Sequence, residues 1–401
     1  MGRKKTDPAD ARSSAAATGT GPTATDERGT AHAVLAASAS ARWIACPPSA
    51  RLAAQYEATT SSYAEEGTSA HALCAYQLEH ALGRRARDPT EDLTECDEEM
   101  ETCAEDYAAF VLQLVEEEKQ TCRDPLVLVE ERLDYSRACG VPDSFGTADG
   151  LIVADGRLTI VDFKYGKGIE VSAKRNPQLM CYALGALDAF DGIYAIDTIR
   201  LIIYQPRLEN ISIDELSKDE LTAWGRDVLM PRAREAYAGE GEFQAGDHCR
   251  FCPAKADCRK RAEYHLELAK YDFAMPATLG EDEIAALLPR LDDFIAWAND
   301  IKAFALQKAL GGTHFDGYKV VAGRSVRKYT DEAAVAKAVQ EAGFDPYEQR
   351  LLGITAMQKL LGKKRMEDLL GGLMIKPPGR PTLVPETDKR RAYGPAVEDF
   401  K

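Results

Sequence analysis

The sequence predicts a mixed α/β fold: a small sheet flanked by helices, followed by a mainly helical C-terminal extension. Three observations carry this. Thr147–Lys164 reads as two apolar, β-branched runs joined by Asp155-Gly156, a strong hairpin signal. Two further β-rich runs, Leu126–Leu133 and Thr198–Tyr204, lie on either side of it. Stretches with apolar residues at helical spacing precede, separate and follow these runs, an order that builds a mixed core around a small sheet.

In chain order, residues 1–35 are Ala/Thr/Gly/Ser-rich and form a disordered tail. Ser38 or Ser40 caps a short helix through Trp43, which Cys46-Pro47-Pro48 stops. Ser49–Glu57 is helical. The next helix opens at Glu65–His71, capped by Thr68 or Ser69, and runs to about Leu82. Glu98–Lys119 is a long amphipathic helix whose Tyr107, Phe110, Val111, Leu114 and Val115 are core. The strand Leu126–Leu133 leads through a loop at 140–146 into the hairpin, and Tyr165–Gly168 is a flexible turn. Pro177–Leu187 is a helix with Gln178 and Tyr182 on one face. After the strand Thr198–Tyr204 comes a helix over Ser217–Tyr237, capped by Ser217 with Asp219 and Glu220 in its first turn. Beyond it lie one or two long helices (Tyr264–Leu306), a β-like segment (His314–Tyr329) and helices at Thr330–Gly343 and Thr355–Gly362. The division is a tail (1–35), a core domain (36–265), a helical extension (266–374) and an extended Pro/Gly-rich end (375–401).

Length and composition bound the function. An apolar fraction of 45% over 401 residues is ample for a core. No apolar run is long enough for a membrane span, and the N-terminus lacks the apolar centre of a secretory signal. A net charge of −15 argues against a protein coated by nucleic acid. Lys164, Lys167, Lys174 and Arg175 nevertheless gather near the hairpin and leave room for a local basic groove. Ten cysteines without an export signal suggest a reducing compartment, with free or metal-bound thiols.

Two constellations carry chemistry. Antiparallel pairing of the hairpin sets Asp149 beside Asp162, with Lys164 on the same strand face as Asp162. Two carboxylates this close repel, and a hard divalent cation removes the repulsion. The plainer reading is a surface acid and a surface ion pair. The second constellation is Cys249, Cys252 and Cys258 in a C-x2-C-x5-C spacing, a soft-metal ligand set that needs a fourth donor. Cys46, in its own Pro-bounded loop, is the best candidate, and His248 is the alternative. Zinc or a [4Fe–4S] cluster suits such a site. No phosphate-binding Gly-x-x-x-x-Gly-Lys-Ser/Thr stretch is present, so any ATP-driven motor must come from a partner.

Four short motifs follow in order between Trp43 and Arg259: Gly67…His71, Gly146-Thr-Ala-Asp149, Asp162-Phe-Lys164 and Gln178-Leu-Met-Cys-Tyr182. Together they resemble the RecB-like branch of the PD-(D/E)XK (restriction-endonuclease-like) nuclease superfamily. One cysteine upstream and three downstream resembles the AddB-type iron–sulfur nucleases of that branch and those of CRISPR adaptation. The whole chain is similar to a phage- and prophage-borne group with a C-terminal extension ending like Pro381-Thr-Leu-Val-Pro-Glu386.

The resemblance implies a metal-dependent deoxyribonuclease. It favours an exonuclease that processes DNA ends or single strands in phage recombination, replication or repair, in the bacterial host cytoplasm and away from membranes. His71, Asp149, Asp162 and the backbone carbonyl of Phe163 would ligate Mg²⁺ or Mn²⁺. Lys164 would position or activate water. Gln178 and Tyr182 would hold the substrate backbone or orient Lys164. Lys167, Lys174 and Arg175 would meet phosphates. Cys46, Cys249, Cys252 and Cys258 would hold a [4Fe–4S] cluster, with structural Zn²⁺ as the alternative. A phage recombinase, single-strand-binding protein or helicase would be the partner, and oligomeric assembly stays open. The competing reading is a catalytically silent or zinc-stapled nucleic-acid-binding scaffold of the same fold.

Overall fold

The computed structural model describes residues 33–56, 62–93, 96–267, 279–322, 329–347 and 351–375. It divides into two compact units, residues 1–277 and 278–401.

The first unit is a mixed α/β domain around one five-stranded sheet in the order β1 to β5. The strands are β1 (Leu126–Asp134), β2 (Phe145–Ala154), β3 (Gly156–Phe163), β4 (Ile196–Gln205) and β5 (Asn210–Ser217). Its described helices are α1 (Ser40–Ala45), α2 (Ser49–Ala53), α3 (Ser62–Ala81), α4 (Glu98–Glu118), α5 (Ser136–Cys139), α6 (Pro177–Phe190), α7 (Lys218–Trp224), α8 (Met230–Ala238) and α9 (Arg259–Leu266). The expected hairpin is β2–β3, with Gly156 at φ +89° closing the turn after Asp155. Gly150 pairs with Val161, so Asp149 and Asp162 end up side by side at the open end. β3 and β4 run parallel, joined by the α6 crossover, while β1/β2 and β4/β5 are antiparallel.

Both faces of the sheet are covered. α6 packs on one face over Leu133, Ala148, Leu151, Ile160, Leu201 and Ile203. α3 and α4 cover the other, over Val127, Ile152, Val161, Phe163 and Ile202. Local signals explain the helix ends. Asn176 Oδ1 accepts the amides of Gln178 and Leu179, and Pro177 starts α6 at its first turn. Asp97 caps α4 through Met100 N. Ser217 and Glu220 form a capping box on α7.

Several expectations are corrected. Leu35, placed in the tail, is buried in the core and its carbonyl accepts from the Tyr135 hydroxyl. α1 has no side-chain cap: Ser40 lies inside it, behind a 3₁₀ turn at Ala37–Ala39. α2 ends at Ala53, short of Glu57. α3 starts at Ser62, upstream of Thr68 and Ser69, and Thr68 bonds back to Ala64 O as a mid-helix threonine does. The helix expected over Ser217–Tyr237 contains a π turn at Gly225–Leu229 between α7 and α8. β5 was not anticipated. Its Ile211 and Ile213 alternate with polar residues but face outward.

The second unit contains α10 (Glu281–Leu310), α11 (Glu332–Glu341), α12 (Ile354–Leu361) and α13 (Lys363–Leu370). The β-like expectation at 314–329 fails over the described residues 314–322: a turn from Phe315 to Tyr318, with Gly317 at φ +81°, interrupts it. Residues 323–328 and the Pro/Gly-rich end beyond 375 lie outside the described residues, as does the tail before Ala33. Among the described residues, no helix is long and apolar enough to cross a membrane.

Candidate active site

Strand register, not loop closure, assembles the candidate site. Asp149 sits opposite Glu130 of β1, between the Val129–Gly150 and Glu131–Ala148 pairs. Ala148 and Leu151 both pack against the α6 core. Strict alternation would put them on opposite faces, so the pleat breaks at Asp149-Gly150. Asp149 is reached there by His71 of α3, on the far side of the sheet from α6. His71 Nδ1 lies 2.8 Å from Asp149 Oδ1, and the Phe163 amide donates to Asp149 Oδ2 at 2.7 Å.

Asp162 is served from the α6 side. The residue is 2% exposed. Gln178 Nε2 donates to its Oδ1 and to the Tyr182 hydroxyl oxygen, both at 2.9 Å. Lys164 Nζ lies 2.7 Å from Asp162 Oδ2 in an ion pair. Gln178 therefore grips Asp162, and Tyr182, buried behind it, braces Gln178. Tyr182 also explains Gly146: a Cβ there would stand 2.5 Å from the Tyr182 ring and 2.9 Å from Ala37 Cβ. Two sequence motifs thus interlock. Gly67 has no such constraint, since a Cβ there meets nothing.

Electrostatics follow from the crowding. Burial pulls the His71 imidazole down, but the Asp149 hydrogen bond and charge outweigh it, and the net direction is up. Burial lifts the Asp162 carboxyl despite the opposing Lys164 charge. Burial works against the Lys164 cation, yet Asp162 holds its pKa above the usual lysine value. Glu130 is the residue that the sequence reading missed. His71, Glu130 and Asp149 each place one donor atom within 4.8 Å of the others. Desolvation, followed by the Asp149 charge, pushes the Glu130 carboxyl up to about 7, although the residue as a whole is exposed. Its sequence context, two glutamates in the middle of a strand, gives no sign of this. Only the register does.

The expected phosphate contacts separate. Lys167 and Lys174 are exposed. Arg175 is exposed but committed: its guanidinium lies 3.0 Å from Glu220 and its amide donates to Asp214. Phe163, expected to offer its carbonyl, is fully buried, with His71 edge-on to its ring at 5.5 Å.

The cysteines meet elsewhere. Cys46 at the end of α1, Cys249 and Cys252 around a 3₁₀ turn at Asp247–Phe251, and Cys258 before α9 line one small pocket with His248 and Arg261. Burial would raise the Cys46 thiol. The His248 ring and the Gln244 amide, 3.4 Å from the sulfur, pull it net down. Burial raises Cys252, and the charges of Cys249 and Cys258 act on it in the same direction. Arg261, 1% exposed, lines the same pocket, and the Arg42 charge acts on Cys252 against the effect of burial. Four thiols lining one pocket, with cationic charge nearby that favours an ionised sulfur, are the donors a soft metal or cluster takes. The donor set therefore fits such a group. Cys74, Cys103 and Cys181 are buried within α3, α4 and α6.

A family model described as "Protein of unknown function (DUF2800)" matches residues 32–391. Among solved structures, the chain is similar to the "Crystal structure of SSO0001", with 14% identity over 47% of this chain and 95% of that one, at a TM-score of 0.21. A likeness at that score carries no argument.

Proposed function

The chain belongs to the family described as proteins of unknown function DUF2800, and we propose that it is a metal-dependent DNA nuclease with a PD-(D/E)XK-type centre and a metal-stapled flank. One observation carries the reading. Asp149 and Asp162, on adjacent strands, meet His71 on one side and Lys164 on the other, with Asp162 almost wholly buried. Such a cluster is costly without a cation. Support also comes from the four motifs that resemble RecB-like nucleases, since their residues converge here.

His71, Asp149 and Asp162 would hold Mg²⁺ or Mn²⁺, which would supply a water of lowered pKa and neutralise charge on the scissile phosphate. The protein's own residues do the positioning. Asp149 is fixed by His71 and the Phe163 amide, and Asp162 by Gln178, so neither carboxylate must reorganise when a phosphate arrives. Lys164, held protonated beside Asp162, offers positive charge to phosphate oxygens and to the developing charge of the transition state. Tyr182 acts through Gln178. Lys167 and Lys174 have exposed ammonium groups for a passing DNA backbone, whereas Arg175 would first have to leave Glu220.

We place a [4Fe–4S] cluster or zinc at Cys46, Cys249, Cys252 and Cys258. Bound there, it would tie the segment after α1 to the loop before α9. Tyr56 donates to Asp257 at 2.6 Å, and Arg51 to the Tyr237 carbonyl at 2.7 Å, across the same seam. A brown protein with broad absorbance would identify the cluster, and a colourless zinc-containing one the alternative.

The deciding experiment uses anaerobically purified full-length protein and end-labelled linear DNA, single- and double-stranded, with Mg²⁺ or Mn²⁺. Asp162→Ala and Lys164→Ala variants run alongside. The expected result is metal-dependent loss of label by the parent only. A folded, metal-loaded parent that binds DNA and leaves it intact would replace this reading with the scaffold.

A further inference from the structure

We infer that Glu130 is a further side-chain ligand of the divalent cation held by Asp149 and Asp162, joining it from the side of His71. The inference rests on the metal-dependent reading above and deepens it. Glu130 belongs to none of the motifs that point to the site.

The first ground is convergence. A histidine nitrogen and two carboxylate oxygens lie within 4.8 Å of one another, close enough for one ion to touch all three. They come from α3, β1 and β2, so the fold brings together residues far apart in sequence. An imidazole with two carboxylates suits Mn²⁺ better than Ca²⁺, which takes oxygen donors throughout.

A second ground comes from beneath the strands. Tyr107 of α4 is fully buried, and among the described residues its hydroxyl has no hydrogen-bond partner. It stands 2.8 Å from where a Cβ at Gly150 would be, directly beside Asp149. The carboxylates whose charge acts on it are Asp149, Asp162 and Glu130. Buried hydroxyls are normally satisfied. A water or carboxylate oxygen drawn in by the ion would be its acceptor. Glycine at 150 is what lets this hydroxyl approach.

The backbone is consistent with this placement. Glu130 holds φ +51°, a left-handed conformation rare for glutamate and unusual inside a strand. The turn takes its side chain out of ordinary alternation and toward Asp149. The neighbouring Glu131 keeps its regular pairing with Ala148 and serves as an internal control.

The test is Mn²⁺ binding to the full-length protein by electron paramagnetic resonance, with melting temperature in the absence and presence of Mn²⁺ as a second readout. The parent, Glu131→Gln, Glu130→Gln and Asp149→Asn are compared. Mn²⁺ binding weaker by about tenfold or more is expected for Glu130→Gln, a loss of the order seen when groups supporting a metal site are removed. Glu131→Gln should bind like the parent. Without metal, Glu130→Gln should melt no lower than the parent, because it relieves the crowding with Asp149. If Gln at this position prevents folding, Glu130→Asp keeps the charge but shortens the reach, and the same weakening is expected. Parental affinity in a folded Glu130 variant would overturn the inference and leave the metal site standing. A parent that binds no Mn²⁺ would overturn both.

Discussion

The open end of the β2–β3 hairpin and the cysteine pocket are two candidate metal sites built in opposite ways. At the hairpin, each donor is already held. Asp149 takes bonds from His71 and Phe163, Asp162 from Gln178, and the elements behind them pack into the two cores on either face of the sheet. At the pocket, Cys46 meets thiols some two hundred positions away in sequence, across a seam with few direct bonds. The fold makes the first site, whereas a metal proposed at the second would help to make the fold. Metal loss should therefore silence the hairpin site with little structural cost, while loss at the pocket should open the structure.

The largest effect should come from Asp162→Asn. This near-isosteric change preserves an acceptor for Gln178 and removes the charge that pairs with Lys164. Cleavage should fall by about a thousandfold, with the melting temperature within a few degrees of the parent's. A collapse of the fold in this variant would break the comparison. Cys252→Ser should behave the other way. We expect lost metal or brown colour, a lower melting temperature and new protease cuts near residues 46–56 and 243–258, because structural metal binding is folding free energy. A variant with unchanged metal content and full thermal stability would sink the staple.

Two smaller changes sharpen the contrast within the hairpin site. Gln178→Ala removes the group that fixes Asp162 without touching a ligand, and cleavage should drop about 10- to 100-fold. A KM-only effect would instead place Gln178 on the substrate. Gly146→Ala forces a methyl against the Tyr182 ring and Ala37. Overpacking of this kind costs about 1–3 kcal/mol. Urea unfolding should show the loss, and activity should suffer only as far as Tyr182 shifts Gln178.

Much of this was legible because the signals were local. Asp155-Gly156 between two β-branched runs fixes the hairpin, and the hairpin fixes the Asp149–Asp162 neighbourhood. Asn176-Pro177 fixes the start of α6, and hence the face bearing Gln178 and Tyr182. The C-x2-C-x5-C spacing marks three of the pocket's thiols, and Pro47-Pro48 singles out Cys46. What escaped was non-local. Glu130 depends on the register of β1 against β2 across an intervening loop, which no spacing rule supplies. The Tyr107 hydroxyl looks like core from its helical position, and its ring is core; only the polar tip meets the site. β5 escaped although Ile211 and Ile213 alternate, because their side chains face outward and the strand carries no apolar run like those of β2 and β3. The caps proposed at Thr68 and Ser69 failed because α3 began upstream of them.

The smallest expected effect, and the most direct measure of how far the hairpin site is prepared for a cation, is its pH dependence. His71 has a native pKa above its ordinary value of about 6.5. Its contribution to stability is therefore full below about pH 6.5 and is lost as pH rises through the raised native value. Glu130, pushed up to about 7, works with the same sign: its proton is favoured in the native state, and stability falls as pH climbs from the ordinary carboxyl range toward 7. Metal-free protein should then melt at lower temperature as pH rises from about 6 to about 8. The drop should be small, because His71 is one-third exposed and solvent screens its pair with Asp149. Saturating Mn²⁺ binds the deprotonated forms, so it should flatten or reverse the slope, and Mn²⁺ affinity should rise across the same window. Thermal melts at three pH values with and without the ion read both. If the metal-free melting temperature climbs with pH, the His71–Asp149–Glu130 cluster is not the proton-holding group described here. If the slope is unchanged by Mn²⁺, the ion binds somewhere else.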